Sequence, residues 1–341
     1  MRIAILGAGS LGTIAGAYIA AGGQDVELID VYQAHVDALN QSGAKIIGTT
    51  DFQAQVKAIT PDNMSGIYDL VLLLTKQLYN DSILRDLLPF LGKQSVVLSL
   101  QNGIPEEKIA AIVGRERVIA GSVEFGATFM EPGVSSLTTE YNHFKKYAFQ
   151  IGELNGAITE RVQQIKSILD LVGGTTISDN LIGTKWSKLL INNAFSGLSV
   201  ALNTEYGGVL DSEIGIVCAA HIADETIKVG HANGVKFAEM NGFDVASLEI
   251  KSEKDIPVHI QTLRTIMEPS RLLKASMLQD LEKKRKTEID FINGVVPQLS
   301  AEKGILTPYN EMVVKLVKQA EETQTITNFD SNIKFFEELN D

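Results

Sequence analysis

The chain has 341 residues, which at about 150 residues per domain predicts two domains. Apolar residues make up 45% and charged residues 21%, a balance that provides a sizeable core and excludes wholesale disorder. The formal charge of -12 lacks the footprint of a nucleic-acid binder and disfavours an anionic membrane surface, while the single cysteine, Cys218, excludes an internal disulfide and a cysteine-based zinc site.

Arg2 followed by an apolar run to Ala21 superficially resembles a secretory leader. Gly7, Gly9 and Gly12 interrupt it, and a second strand-like piece comes at once after it, so a strand, a turn and a helix explain it better. No apolar stretch reaches the roughly 18 residues of a membrane span. A cytoplasmic protein is expected, with no membrane and no nucleic acid among its partners.

Residues 2–6, 26–29, 70–74 and 95–100 are short apolar runs of strand length, and 118–119 lead a further one. A helical pattern through 35–39 follows the second. Strands alternating with helices predict βαβ units and a doubly wound parallel sheet, covered on both faces because the strands are near-continuously apolar. Residues 152–155 are the expected linker, dividing the chain into a Rossmann-type α/β domain (1–155) and an all-helical domain (156–341). The helices expected in the second half are 165–171, 186–200, 214–233, 276–284, 289–303 and 309–322. Residues 337–341 read as a frayed acidic end.

Gly7-Ala8-Gly9-Ser10-Leu11-Gly12 follows the first strand and opens the first helix. In that context G-x-G-x-x-G is a dinucleotide fingerprint. Gly7 permits the tight turn, Gly9 lets the backbone approach a pyrophosphate, and Gly12 allows the helix to pack closely on the strand. The amides of Ser10 and Leu11 open a helix whose N-terminus favours an anion. Asp30 closes the second strand. A carboxylate there binds the adenosine ribose hydroxyls and repels a 2′-phosphate, and Val31-Tyr32-Gln33-Ala34 supply no arginine to hold one. NAD(H) is therefore expected over NADP(H). The competing reading of Asp30 is a cap of the next helix.

In the second half, Lys188, Asn192 and Ser196 stand at i, i+4 and i+8, one stripe of an otherwise apolar helix. Polar groups so placed need partners, which a polar anionic substrate in a cleft would supply. A solvent-facing stripe is the alternative. Gln101-Asn102-Gly103 and Lys76 each follow a strand, where ligands of open parallel sheets bind. Ser276-Met277-Leu278-Gln279-Asp280 and Thr287-Glu288-Ile289-Asp290 through Asn293-Gly294 flank a basic run, 283–286, that reads as a solvated turn. The five histidines lack metal-motif spacing, so no metal is expected, and Cys218 reads as packed.

Together these segments resemble the ketopantoate reductase (2-dehydropantoate 2-reductase) family: Gly7–Gly12, Lys76, Gln101-Asn102-Gly103, Lys185-Trp186-Ser187-Lys188-Leu189 through Asn192, and the two segments at 276–280 and 287–294. They run in order over nearly the whole chain. The resemblance implies a Rossmann domain joined to a helical domain with the active site in the cleft. It implies Lys188 as general acid, Asn102 near the nicotinamide and substrate, Asn192 and Ser276 as hydrogen-bonding partners of a small 2-oxo acid, and Glu288 organising the site. Ser196, also a candidate substrate contact, stands where the family often has asparagine. Two further departures are Asp30, where an arginine serving NADPH is typical, and Tyr79, where glutamine is usual. Leu28-Ile29-Asp30 and Ala34-His35 look like the NAD-dependent D-2-hydroxyacid (D-mandelate type) dehydrogenase branch, which acts on bulky 2-oxo acids branched at C3. A dinucleotide-binding sensor without turnover is the contrasting class, against which Lys188, Asn192 and Glu288 argue. The helical half has apolar faces enough for a homodimer.

Overall fold

The computed structural model describes residues 1–240 and 242–340. They form two compact units, Met1–Leu181 and a second unit from Ile182 onward.

In the first unit the apolar runs are strands and the intervening segments helices. The order is β1 (Arg2–Leu6), α1 (Ser10–Ala21), β2 (Asp25–Ile29), α2 (Gln33–Ser42), β3 (Ala44–Gly48), β4 (Phe52–Ala54), β5 (Lys57–Ile59), β6 (Tyr68–Leu73), α3 (Asn80–Leu87), β7 (Leu91–Ser99), α4 (Glu106–Val113), β8 (Val118–Val123), β9 (Ala127–Glu131), β10 (Val134–Leu137), α5 (Tyr141–Lys146), β11 (Phe149–Glu153), α6 (Glu160–Leu169) and β12 (Thr175–Ile177). Eight strands make one sheet in the order β12-β11-β8-β7-β6-β1-β2-β5. From β8 to β5 all neighbours are parallel. Alternate residues of these strands enter opposite cores. Ile3, Ile5, Leu70, Leu72 and Leu98 pack with α1, and Ala4, Leu6, Val71, Leu73 and Val97 with α3 and α4. Both faces are covered, which is why the strands carry no polar alternation.

Three features of this unit depart from the sequence reading. First, the sheet is not wholly parallel: β11 pairs antiparallel with β8. The chain leaves β8, makes β9, β10 and α5, and returns to place Phe149 opposite Val123, so it re-enters the sheet at the end it left. Second, the first unit continues past residues 152–155, where the linker is expected. β12 pairs in parallel with β11, and Val162, Ile165 and Leu169 of α6 lie in the sheet's core. A small second sheet, β4-β3-β10-β9, was not expected at all. It packs on α1, whose residues Gly12–Ile19 are all buried. A helix covered on both sides has no need of a polar face.

The second unit is helical: α7 (Leu181–Ile191), a π turn (Asn192–Gly197), α8 (Leu198–Ala201), α9 (Tyr206–Asp211), α10 (Glu213–Ala232), α11 (Ile256–Met267), α12 (Ser276–Glu282), α13 (Val295–Ser300), α14 (Pro308–Thr323), α15 (Phe329–Asn332) and α16 (Lys334–Asn340). The 20-residue α10 is its axis, capped by Ser212 Oγ accepting the Gly215 N–H at 3.0 Å and packed by α9, α11, α13 and α14. The helix expected over 289–303 is broken. Ile289–Phe291 is a single 3-10 turn, Ile292 leaves the helical conformation (φ −110°, ψ −97°), and α13 begins only after Asn293-Gly294. The expected frayed end is also corrected: α16 runs to Asn340 and its Phe336 is fully buried, while Asp341 lies outside the described residues. Among the described residues no helix is long and apolar enough to cross a membrane.

Candidate functional site

In the first unit, the residues singled out in the sequence converge at the carboxyl ends of four adjacent strands, β7, β6, β1 and β2. Gly7 follows β1 with φ +92°, a left-handed conformation, and a Cβ there would lie 2.8 Å from the Thr75 amide. A Cβ on Gly12 would overlap the Gly7 carbonyl, whereas one on Gly9 would project into open space. The loop is thus closed towards the protein at Gly7 and Gly12 and open at Gly9. Gly7 and Ala8 donate their amides to the Ile29 carbonyl (2.9 and 3.2 Å), tying the loop to β2. No acidic side chain occupies the first turn of α1, so its positive end is left for an anion.

Asp30 is half-buried just past β2. Its Oδ1 accepts the Tyr32 amide at 3.0 Å, but the N-cap of α2 is Tyr32, so Asp30 forms a local turn rather than the cap. Lys76 is half-buried just beyond β6, and Asn102 is exposed just beyond β7. Their loops are laced together. Gln101 and Asn80 exchange two side-chain hydrogen bonds (3.0 and 2.7 Å), Gln101 Nε2 donates to the Thr75 carbonyl (2.6 Å), and Gln77 Nε2 donates to the Asn102 carbonyl (2.5 Å). Tyr79 is exposed.

Sequence reasoning missed His35. Its ring is buried, with Nε2 2.7 Å from the Ala8 carbonyl inside the glycine loop and Nδ1 accepting the Gly133 amide at 2.9 Å. Accepting at Nδ1 leaves the proton on Nε2, which therefore donates to Ala8. Thr13 Oγ1 donates to the same carbonyl at 2.7 Å. One imidazole thus braces the loop against the turn between β9 and β10. The only sequence signal was its place in Ala34-His35, which carried no geometry.

In the second unit, Lys188, Asn192 and Ser196 are half-buried while Leu189, Leu190, Asn193, Ala194 and Phe195 between them are buried. Ile191 is half-buried too, so the stripe lies at the edge of the helix's buried face. Its helix changes to a π turn over Asn192–Gly197. Ser196 Oγ lies 3.4 Å from Asn192 Oδ1 and makes a short hydrogen bond with the Tyr206 hydroxyl. Burial pushes the Tyr206 phenol above its ordinary range, and the bond to Ser196 only partly offsets this. Tyr206 was also missed, because its contact joins two helices and follows no periodicity.

Ser276 opens α12 and is exposed; α12 packs on the π turn. Glu288 is half-buried just before the 3-10 turn. That segment is held by α14: Glu321 Oε1 accepts both the amide and the hydroxyl of Thr287 at 2.6 Å, and Lys318 pairs with Asp290 at 2.6 Å. The start of α14 is anchored to α10. Buried Glu225 accepts the amides of Tyr309 and Asn310 at 2.9 Å, and burial pushes its carboxyl up to about 7 against the pull of these donors.

A glycine loop joining the first strand of a parallel α/β sheet to its first helix is the architecture of dinucleotide-binding domains, to which oxidoreductases with nicotinamide cofactors belong. Comparison with known proteins narrows the class. Residues 3–156 match the family model "Ketopantoate reductase PanE/ApbA", and residues 180–321 match its C-terminal counterpart. The chain belongs to the ketopantoate reductase family of oxidoreductases. A 2-dehydropantoate 2-reductase of Pyrococcus horikoshii is 33% identical over 324 residues, covering 94% of this chain and 98% of that one. A ketopantoate reductase of Ralstonia eutropha JMP134 superposes with a TM-score of 0.80 at 26% identity, over 95% of this chain and 99% of that one. A D-mandelate dehydrogenase solved with NADH and anilino(oxo)acetate has the same TM-score at 25% identity and the same coverage.

Proposed function

We propose that the protein reduces a small 2-oxo acid to its 2-hydroxy acid, with a 2-dehydropantoate-type substrate as the first reading, and that its cofactor is NAD(H). The observation that carries the reaction is the half-buried Lys188–Asn192–Ser196 stripe, flanked by the buried side chains of Leu189, Leu190, Asn193, Ala194 and Phe195. When bound, the reduced nicotinamide supplies the hydride that reaches C2 of the substrate. The Gly7–Gly12 loop offers open space at Gly9 and the N-terminus of α1 to the pyrophosphate. Asp30 keeps one carboxylate oxygen beyond its bond to Tyr32, suited to ribose hydroxyls and repulsive to a 2′-phosphate. The Lys188 ammonium stabilises the charge that builds on the carbonyl oxygen and gives it a proton, leaving the hydroxyl. On the helical unit Asn192 and Ser276 orient the acid and Ser196 and Glu288 complete the site; on the α/β unit Asn102 and Lys76 serve the cofactor.

Asp30 and the D-mandelate dehydrogenase neighbour favour a second reading, an NAD-dependent D-2-hydroxyacid dehydrogenase for C3-branched or aromatic 2-oxo acids. A panel of ketopantoate, 2-oxoisovalerate and benzoylformate, each assayed with NADH and with NADPH, separates the two. The first reading expects ketopantoate to give the highest kcat/KM, and the second benzoylformate. NADH is expected to be preferred in either case. Preference for NADPH refutes the role given to Asp30, and silence across the panel refutes the reductase.

A further inference from the structure

The Asn293 amide joins two segments that carry different parts of the candidate substrate site. It belongs to the segment of Glu288, yet its fully buried side chain reaches the π turn of Asn192 and Ser196. There its Nδ2 donates to the backbone carbonyl of Asn193 at 3.2 Å. It also donates to Asn310 Oδ1 at 3.0 Å, and Asn310 Nδ2 in turn donates to the Glu225 carboxylate at 2.7 Å. The same side chain fills the space beside Gly197, where an added Cβ would overlap it. From the other flank, Asn193 Nδ2 donates to Thr226 on α10 at 3.1 Å. The π turn is gripped through α14 on one side and α10 on the other.

A π turn closes its hydrogen bonds at i→i+5, so it carries one residue more than the α-helix and rotates the residues after it relative to those before it. Lys188 lies before this insertion and Ser196 lies within it, towards its end. Their alignment therefore depends on where the extra residue is held. We propose that Asn293 is a positioning residue that sets this register, aligning Asn192 and Ser196 with Lys188 and tying all three to the segment of Glu288. The inference rests on reading that stripe as the substrate site.

The test compares Asn293→Ala, Gly197→Ala and the double variant with the native chain. Far-ultraviolet circular dichroism checks that each is folded. Both single variants should lose kcat and raise KM for the 2-oxo acid, because a displacement of about 1 Å at a reacting group costs on the order of 100-fold. The dissociation constant for NADH should stay native, which a general loss of structure would not allow. Since both changes disturb one contact, the double variant should be no worse than the worse single variant. Native kcat and KM in Asn293→Ala, or losses that multiply in the double variant, would overturn the inference alone. A native chain that turns over no 2-oxo acid would overturn the functional reading and this inference with it.

Discussion

Lys188 illustrates how far a single residue can be read. Its spacing from Asn192 and Ser196 fits both a substrate site and a solvated stripe, and the side chain lies half-buried beside buried Leu189 and Leu190. If it is the general acid, Lys188→Ala should lower kcat by about 10²–10⁴-fold, the usual worth of positioned proton transfer, with NADH affinity unchanged. Steady-state kinetics at saturating cofactor measures this, and near-normal turnover removes Lys188 from the role. The place of Asp30 just past β2 was legible in the sequence, because the apolar run before it marks the strand. His35 and Tyr206 were not. Each acts through a bond to a residue distant in sequence or on another element, and nothing local marks such a bond.

Among the elements, β2 has the most consequential single side chain. Glu27 lies 2% exposed in the parallel sheet and accepts from Arg2 of β1 (2.8 Å), the Tyr68 hydroxyl of β6 (2.6 Å) and Lys57 of β5. Burial pushes its carboxyl up, but the bonds from Lys57 and Tyr68 and the charges of Arg2 and Lys57 outweigh burial and hold it below the usual range. A carboxyl depressed in the folded state gives stability that is complete above its unfolded pKa and is lost as pH falls through the folded one. Glu27→Gln should cost about 1–3 kcal/mol near neutral pH, since it weakens charge-assisted hydrogen bonds from buried Tyr68 and partly buried Arg2 while Lys57 is largely solvated. That difference should shrink on acidification, and urea unfolding across the acid range checks it. A difference that grows instead would contradict the assignment. The sequence showed β2 as an apolar run and gave no sign of this cluster, because its partners come from three other strands.

For the molecule as a whole, a ligand that binds only the folded chain stabilises it by mass action. NADH at about 100 times its Kd should add about 2.7 kcal/mol, read as a rise in Tm. NADPH at the same concentration should raise Tm less, if Asp30 excludes the 2′-phosphate. Equal shifts would count against that exclusion. What the sequence determined was the main parallel strands and their alternation with helices, the glycine loop, the helical second half and the residue types of the candidate site, since each is encoded in local pattern and backbone preference. Tertiary structure alone decided that β11 runs antiparallel, that a small sheet covers α1, and that the helix of Lys188 contains a π turn held by Asn293. These depend on pairings between segments far apart in the chain, whose energies come from burial and hydrogen bonding that no local window contains.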